Sequence, residues 1–123
     1  MDRYMIVIPA KNRALLWKCD DGDSMKLETL QQLVGGPLEP VTAKLEPEWA
    51  REKNVNSILL LVDEEGRLKG KAVNQRATGM ADDNFTHNGF QPLVGPAVVA
   101  ASRGEELIGF TKHAADTLLS EWG

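Results

Sequence analysis

Residues Ser57-Ile58-Leu59-Leu60-Leu61-Val62 form a run with no polar alternation. A strand with one wet face alternates apolar and polar residues, because successive side chains point to opposite sides of the sheet. A continuous apolar run therefore predicts a strand covered on both faces. This one is expected at the centre of a sheet, and the rest of the chain has to supply its neighbours and its cover.

The neighbours are legible as further strands. Leu93 to Ala101, entered after Pro96, predicts a second buried strand, and Tyr4 to Ile8, closed by Pro9, a third. Ala14 to Lys18 predicts a short strand, as does Leu38 to Leu45, weakened by Pro40. Asp63-Glu64-Glu65-Gly66 reads as a hairpin turn, with Gly66 expected to supply positive φ, and Leu68 to Val73 as the return strand. Arg103-Gly104 turns the chain again, and Leu107 to Phe110 pairs back. Glu46 to Asn56 is polar around Trp49, with Pro47 suited to start a helical turn.

The cover comes from two principal helices. Leu27, Leu30, Leu33 and Val34 fall on one helical face, with Asp23 or Ser24 expected as the cap. Gly35-Gly36-Pro37 ends that helix, since glycine takes the left-handed cap conformation and proline cannot continue it. Thr111 caps the last helix, where Ala114, Ala115, Leu118, Leu119 and Trp122 share a stripe opposite Lys112, Asp116 and Glu121. Asn74 predicts a helical turn reaching Thr78. The expectation is a single α+β domain over residues 1–123, with a mainly antiparallel sheet of about five to seven strands.

Composition bounds the function. A chain of 123 residues, 42% hydrophobic and 26% charged, has the material for a core without staples. The net charge of −4 argues against general nucleic-acid binding, which needs an excess of cations to displace counterions from phosphates. Cys19 is the one cysteine, so no intrachain disulfide forms. The apolar run near Met1 is too short for a signal peptide and no stretch is long enough for a membrane span, so a cytoplasmic protein without membrane partners is expected.

No catalytic or metal motif stands out. Cys19 sits beside Asp20, Asp21 and Asp23, whose charges oppose thiolate formation. His113 is expected on the surface of the last helix. Asp20-Asp21-Gly22-Asp23 fails the calcium-loop count, because a loop begun at Asp21 finds Lys26 where glycine is needed. Gly35-Gly36 ends a helix, where the dipole repels anions, instead of opening one. Neither a cofactor nor a metal is expected, and catalysis is not.

Two features are left. Arg67, Lys69 and Lys71 alternate on the predicted return strand, with Asn74 and Arg76 close behind. They read either as an edge strand defended by charge or as an anion-binding strip. The connection from Gly79 to Pro92 has no period and carries Met80, Phe85, His87 and Phe90 among polar residues. It reads either as a flap tucked on the core or as a partner-binding loop.

Three stretches also carry a resemblance. They are Leu27-Glu28-Thr29-Leu30-Gln31-Gln32-Leu33-Val34-Gly35-Gly36, then Val62 to Gly70 followed by Val73-Asn74-Gln75-Arg76-Ala77, and Val94-Gly95-Pro96-Ala97-Val98-Val99 before a terminal helix. In this order they resemble a family known only as a domain of unknown function, made of small proteins of bacteriophages and mobile elements of Gram-positive bacteria. The resemblance runs from Met5 to Glu121 and brings no catalytic residue with it. It implies an accessory protein that binds a host protein or complex, in its sharpest form an inhibitor of a bacterial defence system. The alternative is a small-ligand or nucleotide-binding domain that uses the basic strand face.

Overall fold

A computed structural model of the chain describes residues 2–43, 57–81 and 92–122. Six strands, β1 (Tyr4–Ile8), β2 (Leu15–Lys18), β3 (Leu38–Thr42), β4 (Ser57–Asp63), β5 (Ala97–Arg103) and β6 (Glu106–Ile108), form one sheet. Three helices, α1 (Leu27–Val34), α2 (Gln75–Met80) and α3 (Lys112–Trp122), accompany it among the described residues. The path across the sheet is β2-β1-β5-β4-β3, with β6 pairing β5 beyond the end of β1. Every pairing is antiparallel, so the α+β class stands.

Period two explains the layering. Ile6 and Ile8 of β1, Leu60 and Val62 of β4, and Ala97, Val99 and Ala101 of β5 point to one face, where Ala77, Met80, Ala114, Ala115 and Leu118 of α2 and α3 cover them. Met5, Val7, Leu61, Val98 and Ala100 point to the other face, under Met25 and under Leu30 and Val34 of α1. Each fully buried Leu or Ile side chain contributes about 1.5–3 kcal/mol relative to exposure. The two-sided cover therefore explains why β4 and β5 carry no alternation.

The centre of the sheet is β5, not β4. β4 lies one place over, between β5 and β3. That position also removes the expected return strand. Both edges of β4 are occupied, so Leu68 to Val73 has no ladder to join. The chain after Asp63 winds through consecutive turns instead, with Gly66 N donating to Asp63 O, Lys69 N to Glu65 O and Lys71 N to Gly66 O. Positive φ falls on Gly70 and not on Gly66. Gly66 is needed for space, since a Cβ there would meet Val94 Cγ2 at 2.8 Å.

Local signals elsewhere hold. Gly35 takes the left-handed conformation (φ 89°) at the end of α1, and its amide and that of Gly36 both donate to Gln31 O. Thr111 Oγ1 accepts from Ala114 N, and Asn74 caps α2 through Ala77 N. The start of α1 differs. Neither Asp23 nor Ser24 caps it; Asp20 reaches across with one carboxylate oxygen on Lys26 N and the other on Thr29 Oγ1. Leu27 is exposed, while Leu30 and Val34 are buried. β3 ends at Thr42, short of the predicted Leu45, which lies outside the described residues with Glu46 to Asn56. Among the described residues no helix is long and apolar enough to cross a membrane.

Candidate functional site

The five residues of the expected anion-binding strip are all present in the fold, but not as a strip. Asp63, at the end of β4, has a fully buried side chain. Lys69 Nζ lies 2.9 Å and Lys71 Nζ 2.7 Å from its Oδ2, and Glu65 N donates to Oδ1 at 2.8 Å. Burial by itself would raise the Asp63 carboxyl; the two ammonium groups and the amide outweigh it and lower the pKa to about 2. The same lysines donate to the end of α1, Lys69 Nζ to Gly35 O at 2.8 Å and Lys71 Nζ to Val34 O at 2.7 Å. A helix C-terminus that repels anions attracts cations, and these two occupy it.

The glycines make room for this arrangement. A Cβ on Gly36 would overlap Asp63 Oδ1 and lie 2.6 Å from Lys69 Nζ, and one on Gly95 would lie 2.7 Å from Lys71 Cδ. Asn74 is fully buried; its Nδ2 donates to Ile8 O and Gly95 O while its Oδ1 caps α2. Arg76 donates to the carbonyls of Pro9 and Asn12, and Arg67 to that of Pro92. The predicted strand face is thus replaced by a closed node that ties β4, α1, α2 and the entry to β5 together.

The expected partner-binding loop splits. Gly79 and Met80 belong to α2, and Met80 is buried in the core, so its side chain is not part of an exposed loop. Phe85, His87 and Phe90 lie outside the described residues. Cys19 is packed, and burial above all pushes its thiol up to about 11. Its neighbouring aspartates, which the sequence alone makes prominent, add less. His113 is exposed on α3. Among the described residues no three His, Cys, Asp or Glu side chains are grouped to hold a metal ion.

The feature that sequence reasoning missed is a groove of about 460 Å³ beside α1. Met25, Leu30, Leu38 and Leu107 lend it an apolar floor, Leu27 forms one lip, and Asp21, Glu105 and Glu106 stand at the rim. Its walls are fixed locally. Asp21 and Ser24 exchange backbone hydrogen bonds around Gly22, which has φ 65°. Ser24 Oγ donates to Leu107 O, and Gly109 N to Asp23 O, so the turn is pinned to the β6 side. Arg103 pairs with Asp23 and Glu106 across the same seam. Among the described residues neither Asp21 nor Glu105 has an ionic partner. Leu27 keeps 57% of its surface exposed. The groove thus offers apolar surface flanked by uncommitted negative charge, which suits apolar side chains accompanied by Lys or Arg.

Residues 4–123 match the family described as a domain of unknown function (DUF3846). The chain belongs to that family. No curated protein and no solved structure matches it. The matched region takes in both the node and the groove. Within it, the three stretches that carry the resemblance meet at the node: Gly35 and Gly36 from the first, Asp63, Lys69 and Asn74 from the second, and Gly95 from the third. The groove draws only Leu27 and Leu30 from them. One signal in the sequence pointed to it, namely a leucine in the first turn of an amphipathic helix that follows three aspartates and a glycine.

Proposed function

We propose that this protein works by binding a partner protein through the groove between α1 and β6. The observation that carries the reading is the pairing of exposed Leu27 and an apolar floor with the carboxylates of Asp21 and Glu105. A second observation favours this reading over the small-ligand or nucleotide-binding alternative: the cations and amide that the sequence singles out, Lys69, Lys71, Asn74 and Arg76, are engaged with backbone carbonyls or with Asp63. The family resemblance supplies the setting, an accessory protein of a bacteriophage or mobile element acting in the cytoplasm of a Gram-positive host. In its sharpest form the partner is a component of a bacterial defence system, which the protein inhibits. Phe85, His87 and Phe90 belong to the proposal as additional contacts.

The test is capture from host lysate with the full chain, run beside Leu27→Asp and Glu105→Lys. Loss of one central apolar anchor typically weakens an interface by about tenfold or more. Capture of the same protein by the chain and its loss in both variants is the expected result. Capture that Leu27→Asp leaves unchanged counts against the groove. A parallel Phe85→Ala/Phe90→Ala variant reports on the loop separately.

A further inference from the structure

The two edges of the sheet are finished differently. β3 carries Glu39 and Pro40. Ala43 N donates to Ile58 O, and the register then turns the backbone of Pro40, which pairs with Leu61, away from β4. Proline has no N–H, so an incoming strand finds a donor missing where it would need one. β2, at the opposite edge, has no proline. Cys19 N donates to Arg3 O, and by the same alternation the N–H and C=O groups of Leu16 and Lys18 point away from β1. Among the described residues nothing pairs with them.

The side chains at this edge are also unusual. Leu15 and Trp17 are 40% and 43% exposed. They lie opposite Val7 and Met5 and so extend the α1-side face beyond its cover. No Asp or Glu occurs between Tyr4 and Cys19, whereas Lys11, Arg13 and Lys18 do. In a chain of net charge −4 this is a locally cationic edge. Lys18 pairs with Asp2 at 3.5 Å, but both side chains are well exposed, so the pair is weak and displaceable.

We infer that β2 is a docking edge for an extended acidic segment of another protein, added as a strand beside it. Main-chain hydrogen bonds to Leu16 and Lys18 supply register, Trp17 and Leu15 supply apolar contact, and the three cations select carboxylates. A second copy is a poor occupant: a β2–β2 pair joins two edges that each carry Lys11, Arg13 and Lys18 and no carboxylate between Tyr4 and Cys19, and like charges brought together repel. Nucleic acid lacks the strand-spaced donors and acceptors that the open backbone offers. This site is independent of the groove.

The test is selection of short random peptides on the immobilised full chain, followed by backbone amide NMR of the chain with the winning peptide. The expected outcome is enrichment of extended sequences with Asp or Glu at alternate positions, shifts centred on Leu15 to Lys18, and affinity reduced about tenfold or more by Lys11→Glu/Arg13→Glu/Lys18→Glu. Because all three positions are exposed, the variant should fold; Lys18→Glu alone gives a milder second reading of the same trend. Enrichment without acidic bias, or shifts confined to the surroundings of Leu27, overturns the inference. So does sedimentation of the chain as a dimer held by β2, or preferred binding of a thymidine oligonucleotide at this edge.

Discussion

Asp63 and Asp21 each stand in a tight, acid-rich turn, Asp63-Glu64-Glu65-Gly66 and Asp20-Asp21-Gly22-Asp23, yet they serve opposite ends. Asp63 turns inward. It meets two lysines and an amide, and those lysines in turn close the end of α1. Asp21 turns outward, at the rim of a groove with an apolar floor. In the first region charge is spent inside the molecule; in the second it is left for something else to meet. The difference teaches that a charged motif is a poor guide to a site until its partners are known. The most conspicuous cations of this sequence are engaged within the fold, and the proposed binding surface is the one where apolar and acidic groups meet no partner among the described residues.

This contrast can be broken from its closed side. Lys69→Met/Lys71→Met should have the largest effect, because it leaves the buried Asp63 carboxylate with only the Glu65 amide. Uncompensated buried charge of this kind costs about 3–5 kcal/mol, read as a shift in the urea midpoint. Asn74→Ala should follow at about 2–4 kcal/mol, since it strips the cap of α2 and removes the buried donor shared by the carbonyls of Ile8 and Gly95. Gly36→Ala forces a methyl against Asp63 and Lys69 and should cost about 1–3 kcal/mol.

The pH dependence sharpens the same contrast. The Asp63 carboxyl is lowered from 3.8 to about 2, so its stabilising contribution is fully present above the ordinary value and is lost as pH falls through about 2. The stability gap between the native chain and Asp63→Asn should therefore shrink over that acid range. In Lys69→Met/Lys71→Met burial is opposed only by the Glu65 amide, the carboxyl should titrate above that of the native chain, and acid should narrow that variant's deficit. Parallel acid profiles for all three proteins would show that the node is not the source of the effect.

The smallest effect on stability belongs to the open side. Leu27→Asp removes a half-exposed side chain and should shift unfolding by no more than about 0.5 kcal/mol, while partner capture collapses. If the same substitution destabilises the chain as much as Gly36→Ala, the groove is structural and the contrast fails.

Much of the fold was legible because its signals are local. Gly35 stops α1, Asn74 and Thr111 cap α2 and α3, and Gly104 turns β5 into β6, each within a few residues. What was not legible is non-local. The runs of β4 and β5 look alike by period, so nothing local says which lies at the centre. Leu68 to Val73 looks like a return strand until β5, arriving from far along the chain, fills the edge of β4. The groove gathers Asp21, Leu30, Leu38 and Leu107 from well-separated segments, so no window of sequence contains it. Lys69 and Lys71 stand out in the sequence as a cationic strand face, but their shared target, Asp63, becomes apparent only when the turn replaces the strand.

The central claim is that the partner sits at Leu27, and photocrosslinking tests it most directly. Benzoylphenylalanine in place of Leu27 is compared, in living host cells, with the same group in place of Leu68, an apolar residue 89% exposed on the turn beyond β4. The expected result is one discrete adduct from the Leu27 position, joined to a partner segment that sets Lys or Arg beside apolar side chains, and none from the Leu68 position. Equal labelling at both positions, or none at Leu27, contradicts the account.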